Sequence, residues 1–442
     1  MESAAGGGNA RAGEFLSPSG KRVFNQPCAV AQPSARNKRC LVSITHTPPA
    51  FAGRLTFIDG LRGIAAFSVV CYHVARYEPE TQLSRRFIPE MLQTWFDHGW
   101  IGVQVFFVIS GFVIAYSLRN AFITPGYAVN YAWRRSIRLD PSYWATILFV
   151  LVLHAVLHLH LGFDSPLDIP SKMEPALSWQ LLASHVLYLQ NILEYDNLSA
   201  GFWTLCIEVQ FYVLFVVGQG IAQRLPCASR RTPADAGSVG LFTVFAPLSL
   251  LSLFVWNGGI DLAGQPYDND MWIIRYLAMF FLGSLAWWAL DGRIPRWSFW
   301  LYAGAMAGRI LLHACQTNGA DDLTIGLSTA LVTGVSIYTV GRLGRLGTWL
   351  DFSILQYLGR ISYSLYLIHF PVGHIVSTIA WEVSGRSPSP VVATLWLALA
   401  IAASVAVAHL MYVFIEAPSV RLAARFKRPA SETTAKSANA TR

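Results

Sequence analysis

The stretch Asp59–Pro79, DGLRGIAAFSVVCYHVARYEP, is apolar enough to sit in a bilayer, yet it carries Arg62 and His73. Ionisable side chains are costly in hydrocarbon and are functional candidates where they occur. The separation, 73 − 62 = 11 residues, advances a helix by about 16 Å and about three turns. The two side chains therefore share one face, near opposite ends of one helix. Each suits a different task. An imidazole titrating near the working pH can take a proton from a hydroxyl or carry an acyl group briefly. A guanidinium is a planar fork for phosphate. Snorkelling of Arg62 to headgroups would not require the shared face. Asp59, three residues before Arg62, is placed to pair with it.

Four other stretches carry candidate chemistry. In GFWTLCIEVQFYVLF, Glu208 lies inside an apolar helix with Tyr212 at i+4. A carboxylate there needs a partner or stays protonated, so an ion pair, the orientation of His73 and contact with a substrate all stay open. In WRRSIRLDPSYW, Arg134, Arg135 and Arg138 cluster, the last two one turn apart. They suit either the anchoring of a membrane helix end or the binding of phosphates, with Asp140–Pro141 as the start of the next helix. In LGRISYSLYLIHFPVGHIV, Ser362, Tyr366 and His369 fall at i, i+4 and i+7, a polar stripe of the kind that lines a cavity. In GVQVFFVISGF, Ser110 and Gly111 read as small packing residues, since the sequence lacks the first glycine of a nucleophile elbow. His154, His158 and His160 have a spacing that can hold zinc but lack the HExxH glutamate, and no metal is expected.

These residues need elements to hold them. The chain is 54% hydrophobic and 13% charged, with a mean hydropathy of +0.42, where soluble domains carry about 25% charged residues. About ten apolar stretches approach the length that spans a bilayer, near 57–76, 98–118, 141–162, 201–222, 239–256, 271–290, 297–315, 323–340, 354–380 and 391–415. The ninth is long and contains Pro371, where it could tilt or break. Residues 179–192 are short and polar and read as an interfacial or re-entrant helix. The expected fold is an all-α polytopic membrane protein.

Every second connection is basic: Arg119–Arg138, Arg224–Arg231, Arg293 and Arg296, Arg342 and Arg345, and Arg421–Arg428. The alternate ones carry Asp164 and Asp168, then Asp261, Asp268 and Asp270, then Asp321 and Asp322. This is the positive-inside pattern with both termini cytoplasmic. It also explains the net charge of +8 without nucleic acid as a partner. Residues 1–50 are rich in Gly, Ala, Ser and Pro and are expected to be disordered. Residues 51–420 form the membrane domain, and 421–442 a basic polar cytoplasmic tail. The six cysteines show no metal-ligand spacing, and Cys71 and Cys206 read as packing residues. A transporter or flippase for a lipid-linked saccharide is the competing class, since it too would line a path with polar groups; no internal repeat supports it.

Taken together, FIDGLRGIAA…YH, GVQVFFVISGF, RRSIRLDPSYW, FWTLCIEVQFY and ISYSLYLIHFP, in this order, resemble the acyltransferase-3 family of bacterial membrane O-acyltransferases, over about Phe57 to Pro418. The resemblance implies a ten-helix bundle in the bacterial inner membrane. It implies transfer of an acyl group, usually acetyl, from cytoplasmic acyl-CoA to a hydroxyl of an envelope or exported glycan or glycolipid. Acyl-CoA would be a donor substrate and no bound cofactor is implied. The family's Arg-x10-His pair falls on Arg62 and His73, its Arg-x-x-Arg pair on Arg135 and Arg138, and its glutamate on Glu208. His73 and Glu208 are then the catalytic candidates and Arg62, Arg134, Arg135 and Arg138 the donor contacts. Asp59, Tyr212, Tyr366 and His369 are candidates for the substrate cavity. Gln104 and Asp140 depart from the family pattern, and the appended SGNH-type domain of some members is not expected.

Overall fold

A computed structural model describes residues 53–77, 84, 85, 87–160, 178–224, 233–256, 272–317, 319, 321–385 and 387–426. All of them fall in the unit Thr47–Arg442. The expectation for residues 1–50 concerns positions that are almost all outside this set, as are most of the tail after Arg421, the side chains of His158 and His160, and the acidic loops around Asp164 and Asp268.

Among the described residues there are helices and no strands. The long ones are α1 (Thr56–Tyr77), α3 (Gly102–Ser117), α4 (Pro125–His160), α6 (Phe202–Ala222), α7 (Pro233–Leu251), α8 (Ile273–Leu290), α9 (Arg296–Thr317), α10 (Asp322–Arg342), α11 (Ser353–Val383) and α12 (Pro390–Met411). Short helices α2 (Glu90–Asp97), α5 (Trp179–Val186) and α13 (Ala417–Arg425) complete the set. A π-helical turn, Tyr412–Glu416, joins α12 to α13. Each of the ten apolar stretches coincides with one of the long helices. Eight are long and apolar enough to cross a membrane; α9 and α11 are the long helices outside that group. α11 carries Arg360, His369 and His374 and is largely enclosed by other helices, so its surface need not match lipid.

Two features differ from the sequence reading. Asp140–Pro141 does not start a helix: α4 runs through it from Pro125 to His160. Proline removes one backbone donor inside a helix, the partner of the carbonyl four residues back, and here side chains bond to the adjacent turn. Tyr363 Oη donates to the carbonyl of Leu139 (3.0 Å), and Ser136 and Tyr188 donate to the Asp140 carboxylate. α11 likewise continues unbroken past Pro371. The segment after Ser178 is one eight-residue helix followed by turns.

Two hydrophobic clusters form the core. One surrounds α8, which is buried along nearly its whole length and packs on α3 and α10. The other surrounds α11, which packs on α1 and α12. Each has a crossing that only glycine permits. A Cβ at Gly111 would overlap the Phe280 carbonyl of α8, and one at Gly359 the Asp59 carbonyl of α1. α1 and α11 run in the same direction, since they touch first at Asp59 and Gly359 and later at His73 and His369. First and ninth of ten crossings would do so. Gly111→Val is expected to lower stability by about 3 kcal/mol or more, the upper range for overpacking, because backbone and not a side-chain tip stands in the way. The melting midpoint of detergent-purified protein checks this.

Candidate active site

The basic and acidic candidates converge where the two clusters meet. α1 supplies Arg62, α4 Arg135 and Arg138, α6 Thr204, Glu208 and Tyr212, α11 Ser362, Tyr363 and Tyr366, and the π-helical turn Glu416. They line one basin with an empty volume of about 920 Å³, measured out to open solvent. Between the charged groups run Val103, Phe106, Phe107, Ile109 and Val113 of α3. Three arginines against two glutamates leave the lining at a formal charge of 3 − 2 = +1.

Glu208 is held on two sides. Ser110 Oγ donates to its Oε1 (2.9 Å), and Arg135 Nη2 approaches the same oxygen at 3.4 Å. The guanidinium of Arg135 lies on the Tyr212 ring, 3.7 Å from its centroid. With about a quarter of each side chain exposed, solvent screens this pair, and its main effect is to orient the arginine. Arg135 Nε and Tyr212 Oη are buried without a hydrogen-bond partner. Glu416 is buried and accepts from the hydroxyl (2.6 Å) and backbone N–H (3.2 Å) of Ser364. Its carboxylate feels the charges of Arg62 and Arg138.

Tyr366 lines the basin from α11. Its hydroxyl is 2.7 Å from Thr204 Oγ1, and its ring meets Phe106 and, on the far side, His369, with centroids 5.7 and 6.0 Å apart. Beyond it the two histidines touch: His369 Nε2 is 3.0 Å from His73 Nδ1. His369 is fully buried and His73 half-buried.

The candidates thus divide into two stations. Arg62, Arg135, Arg138, Glu208, Tyr212 and Tyr366 share the basin, and His73 and His369 form the second station one helical turn past Tyr366. Three of the candidates lie elsewhere or meet other partners than expected. Asp59 does not line the basin and takes Arg54 Nε at 2.7 Å, because Arg62 turns its charge into the basin. Arg134 is not among the lining residues. Glu208 does not orient His73: its Oε1 is engaged by Ser110 and Arg135, and the ring bonded to His73 is His369. Ser110 holds a carboxylate and is more than a packing residue. Glu416 was missed, although an acid at the edge of the last apolar stretch, in YVFIEAPSV, carries the same signal that singled out Glu208. Among the described residues no cluster of His, Cys, Asp and Glu could hold a metal ion.

The chain matches the family model described as "Acyltransferase domain" (Acyl_transf_3) over residues 55–413. It is 25% identical over 397 residues to "Acyltransferase MdmB" of Streptomyces mycarofaciens, covering 85% of this chain and 94% of that protein. It is 29% identical over 327 residues to "Putative membrane-bound transacylase BcsY" of Komagataeibacter xylinus, covering 71% and 72%. To "Putative peptidoglycan O-acetyltransferase YrhL" of Bacillus subtilis it is 26% identical over 390 residues, covering 82% of this chain and 54% of the other. No solved structure matches the chain. A family match over most of its length, on a bundle of membrane-spanning helices, places this chain in the acyltransferase-3 family, as a multi-pass membrane O-acyltransferase.

Proposed function

We propose that the protein moves an acetyl or other acyl group from acyl-CoA to a hydroxyl of an envelope or exported glycan, in the bacterial cytoplasmic membrane. The carrying observation is the pair of stations in register on α1 and α11: a basin with net positive lining that includes Tyr366, and a histidine pair whose His369 packs on that tyrosine. The donor's phosphates bind to Arg62, Arg135 and Arg138, which present several N–H donors with only partial internal neutralisation. The apolar α3 wall takes the pantetheine arm. The roughly 16 Å from Arg62 to His73 along α1 suits an arm that delivers the thioester to the second station. Donor phosphates at the arginines place that end at the cytoplasmic surface, in keeping with the basic loops.

At the second station the acceptor hydroxyl gives its proton to His73 and its oxygen attacks the thioester carbonyl carbon. The carbon–sulfur bond breaks, and the departing thiolate takes the proton from the imidazolium, leaving free CoA and an O-acyl ester. A relative named for peptidoglycan O-acetylation supports a glycan acceptor. The reading is tested by NMR of envelope and secreted glycans from the wild type and a deletion strain. O-acetyl signals lost on deletion and restored by complementation are expected. Unchanged acylation of every glycan fraction would refute a glycan acceptor.

A further inference from the structure

Base catalysis by His73 requires one ring nitrogen to hold a proton and the other a lone pair, and histidine alone does not choose between the two tautomers. We propose that His369 is a positioning residue that, together with the Val69 carbonyl, holds the proton of His73 on Nδ1 and leaves the basic lone pair on Nε2. The proposal rests on the reading of His73 as the base.

The assignment follows from what each neighbour can do. His369 Nδ1 lies 3.1 Å from the carbonyl oxygen of Leu365. A carbonyl only accepts, so this Nδ1 carries the proton and donates. In a neutral imidazole the other nitrogen is then an acceptor. That acceptor, His369 Nε2, is 3.0 Å from His73 Nδ1, so His73 Nδ1 must donate to it. A second acceptor stands beside the same nitrogen: the Val69 carbonyl, at 2.9 Å. Two lone pairs thus face His73 Nδ1 from two helices, and its N–H is shared between them. The opposite tautomer would turn a bare nitrogen toward both. Leaving such buried bonds unmade disfavours it by on the order of tenfold to a hundredfold.

His369 is itself held in place. It is completely buried, its ring packs on Tyr366, and Ser404 Oγ donates to its backbone carbonyl (3.4 Å). The ring of His73 is flanked by Phe370 and Tyr72 at centroid distances of 5.7 and 5.2 Å, which restrains its tilt. The parallel course of α1 and α11 lets the two rings meet while Arg62 of α1 and Tyr366 of α11 reach the basin. His369 therefore acts through His73 and not on the substrates. This differs from a core histidine that merely fills space, because it assigns an acceptor at the position of Nε2 and nothing else.

The test compares His369→Leu, which fills the space without an acceptor, with His369→Gln, whose Oε1 reaches the Nε2 position and can accept. Membranes with their own acceptor receive labelled acetyl-CoA, and His73→Ala is run beside them. We expect His369→Leu, which leaves only the Val69 carbonyl facing His73 Nδ1, to lower the maximal rate by about three- to tenfold with the donor KM within about twofold of wild type. His369→Gln should restore most of the rate. Equal rates for the two variants, whether both normal or both impaired, would overturn the proposal. The wild-type protein gives a readout independent of how either variant folds: 15N NMR of labelled histidines should report His73 protonated at Nδ1. Protonation at Nε2 would overturn the tautomer assignment regardless of activity. Transfer that persists in His73→Ala would instead remove the underlying reading of His73.

Discussion

Membranes containing His73→Ala at wild-type protein levels are expected to lose acyl transfer by about 10²- to 10⁴-fold, the range for a positioned general base. His73→Gln should lose as much, since an amide has no basic nitrogen. The loss should appear in the maximal rate with little change in donor KM, because the site proposed for the donor's anionic end is the other station. Stability should change little in His73→Gln, which keeps a donor for the Val69 carbonyl beside the ring. The check is initial rate against acetyl-CoA concentration, with protein quantified by immunoblot. Transfer that survives both substitutions would take His73 out of the chemistry.

The second large effect belongs to the arginines. Arg138→Gln should raise donor KM by about 10- to 100-fold, since a hydrogen bond to a charged group contributes about 1.5–3 kcal/mol and about 1.4 kcal/mol is tenfold in affinity. Arg135→Gln should do the same and more, for Arg135 also faces Glu208 at 3.4 Å and lies on Tyr212, and its loss leaves a carboxylate in the donor's path. The two effects should not add, since both guanidiniums share the field of Glu208. At saturating donor the maximal rate should recover. A lowered maximal rate with unchanged KM would place these arginines outside donor binding.

Much of this arrangement was legible in the sequence because membrane helices advertise what they carry. Ten apolar stretches fell on ten helices, and a charge inside one is conspicuous against 54% hydrophobic residues. Helical spacing then gave the faces: Arg62 with His73, and Ser362 with Tyr366 and His369. Spacing along one helix does not say which helix lies opposite. The bond between His73 and His369 joins residues 296 positions apart, and that of Ser110 to Glu208 spans 98. The pairing of Asp59 with Arg54, not Arg62, was hidden for a related reason: several partners are in reach, and the basin decides which arginine turns inward. The proline at 141 misled because proline is a boundary signal on average, and here α4 continues through it, with the adjacent turn tied to α11 by the bond from Tyr363 to the carbonyl of Leu139.

The central claim is that one chain joins a donor basin to a histidine that acts as the base for acyl transfer. Its most direct test is the transfer of label from acetyl-CoA by membranes of a host expressing the protein, followed through to the product. Wild-type membranes should place base-labile label in the saccharide fraction and release one CoA thiol per ester formed, while His73→Ala membranes should do neither. Label that reaches the saccharides equally in both, or CoA release with no ester in any acceptor fraction, would contradict the account.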